Sequence, residues 1–204
     1  MQSDNSAAAR QGSAQLWRER LPLPATEAMD AAQREAAAQL IAGPRKGVYG
    51  PFVPLLRSPQ LMERVGKVGE TLRFEGVLDA RIRELVTCAV ARHVSNQFEW
   101  LMHAPLAVKA GVAPQALEAL RVGARPRGLP RDEEVALDFS AELLQRNGVS
   151  EPVWAEAQAQ FGEQGVVELT VLIGYFVMVS WLMNAAHTPA QAGAQGDPLP
   201  PFPL

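Results

Sequence analysis

His103, Glu84 and Glu99 are the side chains of this chain best suited to moving a proton. An imidazole gives or takes a proton near neutral pH, which few side chains do. His103 falls about two turns into a predicted helix over 97–110, and the other inward positions of that helix are apolar. The same pattern also describes a buried histidine satisfied by a hydrogen bond. Glu84 lies on the preceding predicted helix, 81–94. If the two helices pair as an antiparallel hairpin, its carboxylate approaches His103, sets the imidazole tautomer and raises its pKa. A first-turn glutamate after Asp79 is also what the helix dipole favours. Glu99 stands one helical turn before His103 on the same face. It is also the third residue after Asn96, the spacing of a capping box, which would occupy its carboxylate structurally. Arg92 and Arg73 are candidate readers of a substrate carboxylate, since a guanidinium binds one bidentately. Asn96 and Trp100 complete the candidate substrate-binding set, although Trp100, like Tyr175, is of a type that more often packs than lines a substrate.

Composition bounds what these groups can belong to. The chain has 204 residues, enough for one domain with a tail. Hydrophobic residues are 48% and charged residues 20%, which allows a sizeable core and argues against wholesale disorder. The net charge of −3, from 19 basic and 22 acidic residues, lacks the basic excess of a phosphate-backbone binder, so no nucleic acid is expected. One cysteine, Cys88, excludes an intrachain disulfide, a four-cysteine zinc site and a two-cysteine redox mechanism within one chain. Three histidines (His93, His103 and His187) leave little for a His-rich metal site, and no metal is expected; His103, Glu84 and Glu99 together would hold one only weakly. The N-terminus has no apolar stretch behind a basic start, so no signal peptide is read there. The candidate membrane span at 166–186 contains Glu168 and Asn184, and its uncharged part, 169–183, is short for a span. The expectation is a soluble cytoplasmic protein that does not enter a membrane.

The elements that must position these residues read as helices throughout. Residues 1–24 are small, polar and Pro-punctuated, a surface arm. Residues 25–42 favour helix by propensity and end at Gly43-Pro44. Residues 47–56 read as a Gly/Pro-rich loop. Ser58-Pro59 opens a helix with Leu61, Met62, Val65, Val68, Gly69 and Leu72 at helical spacing. The next helix, capped by Asp79, places Ile82, Leu85, Val86, Ala89, Val90 and His93 on one stripe. Ser95-Asn96 breaks it, and the 97–110 helix follows, with a kink expected at Pro105 and Gly111 as its stop. Helices over 114–122, 131–146 and 150–161 precede a long apolar helix, 162–187. Residues 189–204 form a Pro-rich tail, leaving 25–188 as the single domain. No segment alternates with period two, so the fold class is all-α. The 162–187 helix is apolar nearly all round and must be covered on all sides, in a core or at a subunit interface.

The stretch from Arg81 to Gly111 resembles the carboxymuconolactone decarboxylase family, which includes the alkylhydroperoxidase D group. The resemblance rests on Arg81-Ile82-Arg83-Glu84-Leu85, Ala91-Arg92-His93, Gln97-Phe98-Glu99-Trp100, His103-Ala104-Pro105-Leu106-Ala107 and Ala110-Gly111. Gly50-Pro51-Phe52, Leu72-Arg73-Phe74-Glu75 and the segment from Phe161 to Val167 agree with it, so it spans about residues 44–187. It implies an alkylhydroperoxidase D-like helical bundle. It places the group's glutamate on Glu84 and its histidine on His103. The two cysteines of the peroxidase motif fall on Asn96 and Glu99, so both thiols are absent. Cys88, beside the apolar stripe, reads as a small hydrophobe.

What the resemblance then implies is a cofactor-free carboxy-lyase acting on a carboxylated lactone or a similar small carboxylate of aromatic catabolism. Such a substrate carries its own electron sink, so the enzyme needs a cation for the spare carboxylate, a donor for the lactone oxygen and an acid for reprotonation. Arg92 or Arg73 suits the first role; His103, oriented by Glu84, suits the last. The alternatives are a peroxidase-like antioxidant protein, against which the missing cysteine pair argues, and an inactive oligomeric binding protein of the same fold. The resemblance and the apolar 166–186 helix together imply a homo-oligomer, a trimer or a hexamer.

Overall fold

The computed structural model describes residues 18–194 and 196–200, and every regular element in it is helical. After a 3₁₀ turn at Thr26–Ala28 come eight helices: α1 (Ala31–Ala42), α2 (Phe52–Leu55), α3 (Pro59–Glu70), α4 (Ala80–His93), α5 (Gln97–Ala110), α6 (Pro114–Arg121), α7 (Arg131–Arg146) and α8 (Glu151–Ala186). A π-helical turn, Thr71–Glu75, extends α3. Helices α4 and α5 form the antiparallel pair at the centre, with α8 against one side of α4 and α7 against another.

Local chemistry explains most boundaries. The helix expected from residue 25 starts later, because Asp30 accepts from the Gln33 amide while Gln33 returns a bond to the Asp30 amide, a full capping box. Pro59 at the first turn of α3 and Asp79 before α4 act as starts. Gly111 (φ 103°) and Asn147 (φ 58°) close α5 and α7 in the left-handed region. Gly162 (φ 70°, ψ 175°) breaks α8 into two helical runs, where the sequence separates 150–161 from 162–187. Pro105 stays inside an uninterrupted α5.

Three expectations are corrected. The loop expected at 47–56 contains the buried helix α2, whose Phe52, Val53, Pro54 and Leu55 are all in the core. Gly50 (φ 57°) makes that entry possible, since a Cβ there would sit 2.4 Å from the Phe98 ring. In α3 the inward face is Met62, Val65, Gly66 and Gly69, while Leu61 and Val68 are exposed; packing, not hydrophobicity alone, selects the stripe. On α4, His93 is exposed rather than part of the inward stripe.

The main core gathers Phe52, Leu56, Met62, Ile82, Val86, Val90, Phe139, Leu169, Ile173 and Phe176. A second cluster, with Leu85, Cys88, Trp100, Leu117 and Leu137, lies on the other side of the α4–α5 pair. Leu199 from the tail plugs this second cluster at 2% exposure. Helix α8 has the length and mean hydropathy (2.0) of a membrane span by composition, and half of its most apolar window is buried in the bundle. Its outward face leaves Val167, Val171, Met178 and Trp181 exposed.

Candidate functional site

The turn between α4 and α5 sets the site's geometry. Asn96 caps α5, its side-chain oxygen accepting from the Glu99 amide at 2.9 Å. Its amide nitrogen donates to the Ser180 carbonyl (3.2 Å) and to Asn184 Oδ1 (2.8 Å). Asn184 in turn donates to the Val94 carbonyl at 2.8 Å. The hairpin is therefore latched to α8 by two asparagines. This corrects the reading of Asn96 as a substrate-binding residue: it is 2% exposed and its side chain is engaged at both ends. Asn184, which with Glu168 interrupts the apolar 166–186 stretch, is the partner that sequence reasoning did not assign.

The hairpin register brings Glu84 and His103 together. His103 Nδ1 lies 2.6 Å from Glu84 Oε2. The second ring nitrogen, Nε2, lies 3.2 Å from Glu99 Oε2, one turn back on the same helix. Thus half of the expected capping box forms: Asn96 caps, but the Glu99 carboxylate turns to the imidazole instead of back to the cap. His103, Glu99 and Glu84 are 5%, 5% and 12% exposed at their side chains, so water screens these charges little. The Phe176 ring of α8 packs edge-on against the imidazole, centroids 5.0 Å apart. Burial pulls the His103 pKa down, but the two carboxylates outweigh it and raise the pKa to about 9. The imidazole is therefore cationic at neutral pH. Among the described residues no group of three His, Cys, Asp or Glu side chains is arranged to hold a metal ion.

Cys88, one turn after Glu84, is fully buried near both carboxylates. Burial first, then the charges of Glu84 and Glu99, push its thiol well up. A reactive cysteine needs the opposite environment.

Beyond Glu99 lies a second polar group that the sequence reading missed. Arg45, buried, bonds Glu70 at 2.5 Å and the Gly66 carbonyl at 3.3 Å, with its guanidinium over the Phe52 ring at 4.6 Å. The Tyr175 hydroxyl approaches Gly69 so closely that a Cβ there would lie 2.3 Å from it and 2.9 Å from the Arg45 guanidinium. Tyr175 also lines a cavity of about 410 Å³ with Val65, Val68, Val171 and Met178, and Arg64 is part of its wall. Burial raises the Tyr175 phenol; nearby Arg45 and Arg73 oppose this and Glu99 adds to it. Tyr175 therefore lies within electrostatic reach of Glu99 on one side and faces an apolar cavity on the other. Arg45 carried no signal in the sequence, because its partners come from a different helix 21 to 25 residues away.

The remaining candidates lie elsewhere. Arg73, on the π-helical turn, stacks at 5.3 Å from the Phe74 ring on the Tyr175 side. Arg92 faces a cavity between α4, α6 and α7 that includes none of His103, Glu84 or Glu99. Trp100 is 2% exposed and its indole donates to the Asp197 carbonyl of the tail at 3.0 Å, so it anchors the tail within the second core.

With that geometry in place, comparison with known proteins gives the class. The model of the carboxymuconolactone decarboxylase family matches residues 59–142, the segment that holds Glu84, Glu99 and His103. The fold is that of the alkylhydroperoxidase D-like proteins. An uncharacterized peroxidase-related protein from Ralstonia eutropha JMP134, described as an alkylhydroperoxidase AhpD core, superposes with a TM-score of 0.70 at 15% identity, over 85% of this chain and 92% of that one. An uncharacterized peroxidase-related protein from Silicibacter sp. TM1040 gives 0.72 at 16% identity, over 87% and 94%. A protein of unknown function from Agrobacterium tumefaciens gives 0.60 at 16% identity, over 68% and 95%. No curated protein matches the chain.

Proposed function

We propose that the chain is a cofactor-free carboxy-lyase for a small organic acid of the carboxylated-lactone type, with His103 as the proton donor. One observation carries this reading: a buried imidazolium clamped between two carboxylates, with no thiolate-stabilising environment beside it. In the proposed reaction the bond from ring carbon to carboxylate breaks and CO2 leaves. The electron pair moves into the conjugated lactone as a dienolate, and a proton from His103 forms the new C–H bond. Water restores the His103 proton, so one proton is consumed per turnover.

The two hydrogen bonds divide the labour. Glu84 at 2.6 Å holds Nδ1. The longer contact of Nε2 with Glu99 at 3.2 Å is the one a substrate would displace. Arg73, within electrostatic reach of Tyr175, is the cation for the spare carboxylate, a role that Arg92 loses by facing another cavity. The test is CO2 release from 4-carboxymuconolactone, generated in situ, by wild-type protein and by His103→Gln. Turnover that disappears in the variant is the expected result; no turnover by folded wild type sinks the reading.

The peroxidase alternative is favoured by the descriptions of two of the structural relatives, both peroxidase-related. It requires thiol-dependent peroxide reduction. Turnover that persists in Cys88→Ser would establish a peroxidase without its own thiol and displace the lyase.

We further propose self-association through α8. The exposed residues Val167, Val171, Met178 and Trp181 recur at spacings of four, seven and three, the seam of a packed helix pair. Trp181→Glu is expected to lower the mass measured by light scattering; an unchanged mass places the interface elsewhere.

A further inference from the structure

We propose that the cavity between α4, α6 and α7 is a second binding site, separate from His103, for a small organic carboxylate with an apolar body. The cavity holds about 390 Å³, within the range of small-molecule sites, roughly 300–1,000 Å³. Its polar wall contains Arg92, His93, Arg125 and Gln145, and no Asp or Glu is among its lining residues. Leu120 and Leu144 supply apolar wall.

Arg92 is the centre of the argument. Its Nε is buried and has no hydrogen-bond partner. An unpaired buried donor on a charged group is costly, and native structures rarely leave one without a reason. An arginine in the last turn of a helix commonly serves the terminal carbonyls there, yet among the described residues no hydrogen bond or ion pair holds this guanidinium, and its Nε is unpaired. It lies instead against the backbone of Gly123 (φ 80°), where a Cβ would come within 2.9 Å of its terminal nitrogen. Glycine at that position therefore leaves the space the guanidinium occupies. Arg125, by contrast, is neutralised by Asp138 at 2.8 Å, so it contributes shape and little net charge. What remains is one cation without a counter-charge among the described residues, facing a hollow whose wall is part polar and part apolar. The complement is one carboxylate on an apolar body, which the planar fork can bind bidentately. The site does not depend on the reading of His103.

Benzoate is the probe, with benzamide as its neutral counterpart and inorganic phosphate as a compact anion. Binding would be followed by isothermal titration at neutral pH on the full chain. Benzoate is expected to bind, benzamide at least tenfold more weakly. Arg92→Met, which keeps the aliphatic stem, is expected to lose benzoate binding, and Ala141→Leu, which narrows the cavity without changing charge, to weaken it. His103→Gln is expected to bind as wild type does. Absent benzoate binding in wild type overturns the site. Undiminished binding in folded Arg92→Met does the same, and loss in His103→Gln would place the carboxylate at the His103 cluster instead. Phosphate binding as tightly as benzoate overturns the assignment of an apolar-bodied ligand.

Discussion

Helix α4 carries two charged side chains that the fold treats in opposite ways. Glu84, near its start, meets a cation across the hairpin at 2.6 Å, and that cation meets a second carboxylate at 3.2 Å. Arg92, in its last turn, meets no counter-charge among the described residues and keeps a buried nitrogen without a partner. The difference is one of register and neighbours. Glu84 faces α5, whose His103 arrives by hairpin pairing. Arg92 faces α6 and α7 across a hollow whose lining has no acid. A closed charge cluster can hold a proton at a defined place. An open charge can only wait for a ligand.

The largest effect that would break this comparison is on turnover. His103→Gln is expected to lower the decarboxylation rate by roughly 10²–10⁴, the range of a lost general acid, measured by CO2 release with the fold checked by circular dichroism. A variant within tenfold of wild type would mean that the cluster is structural only.

Next in size is the dependence on pH. The folded His103 pKa, about 9, lies above the ordinary 6.5. The folded state therefore binds the proton more tightly than the unfolded chain. Its stabilising contribution is complete below about pH 6.5 and is lost as pH rises through about 9. Its size is on the order of 3 kcal/mol. Melting temperature is expected to fall across that window, and His103→Gln to flatten the fall; an equal slope in both would remove His103 as its source. The acid-dependent rate should decline over the upper part of the same window.

Glu84→Gln and Glu99→Gln sharpen the inside of the cluster. Removing a hydrogen bond to a charged group costs about 1.5–3 kcal/mol, and the shorter Glu84 contact should cost more than the Glu99 contact in urea unfolding. The reverse order would exchange the roles assigned to the two carboxylates. The smallest expected effect lies on the open side. Arg92→Met loses no hydrogen bond, and its stability should stay within about 0.5 kcal/mol of wild type; a larger loss would reveal a structural partner for the guanidinium.

Legibility followed the range of the interaction. Asn96, Gly111 and Asn147 act on backbone groups within a turn of themselves, so the start of α5 and the ends of α5 and α7 can be read off the chain. The α4–α5 hairpin is nearly as local, and it suffices to bring Glu84 toward His103. Glu99 was legible as a capping-box residue and did something else. Its cap partner Asn96 turned its amide to α8, and the nearer imidazole took the carboxylate. The 52–55 segment read as loop because Gly and Pro flank it, yet tertiary burial of four apolar residues overrode that punctuation.

By itself, then, the chain's sequence determined an all-helical bundle, its main stops and starts, and the candidates for proton chemistry, because helix periodicity and capping act over a few residues. Only the tertiary structure decided which candidates share a site. Asn184 and Asn96 meet across 88 residues, Arg81 finds Asp132 and Glu133 more than 50 residues away, and Leu199 closes a core begun at Leu85. Such contacts depend on how helices pack against one another, and packing is set by the summed shape of many side chains rather than by any local motif. That packing placed His103 between two carboxylates and left Arg92, on the helix that carries Glu84, facing an open cavity.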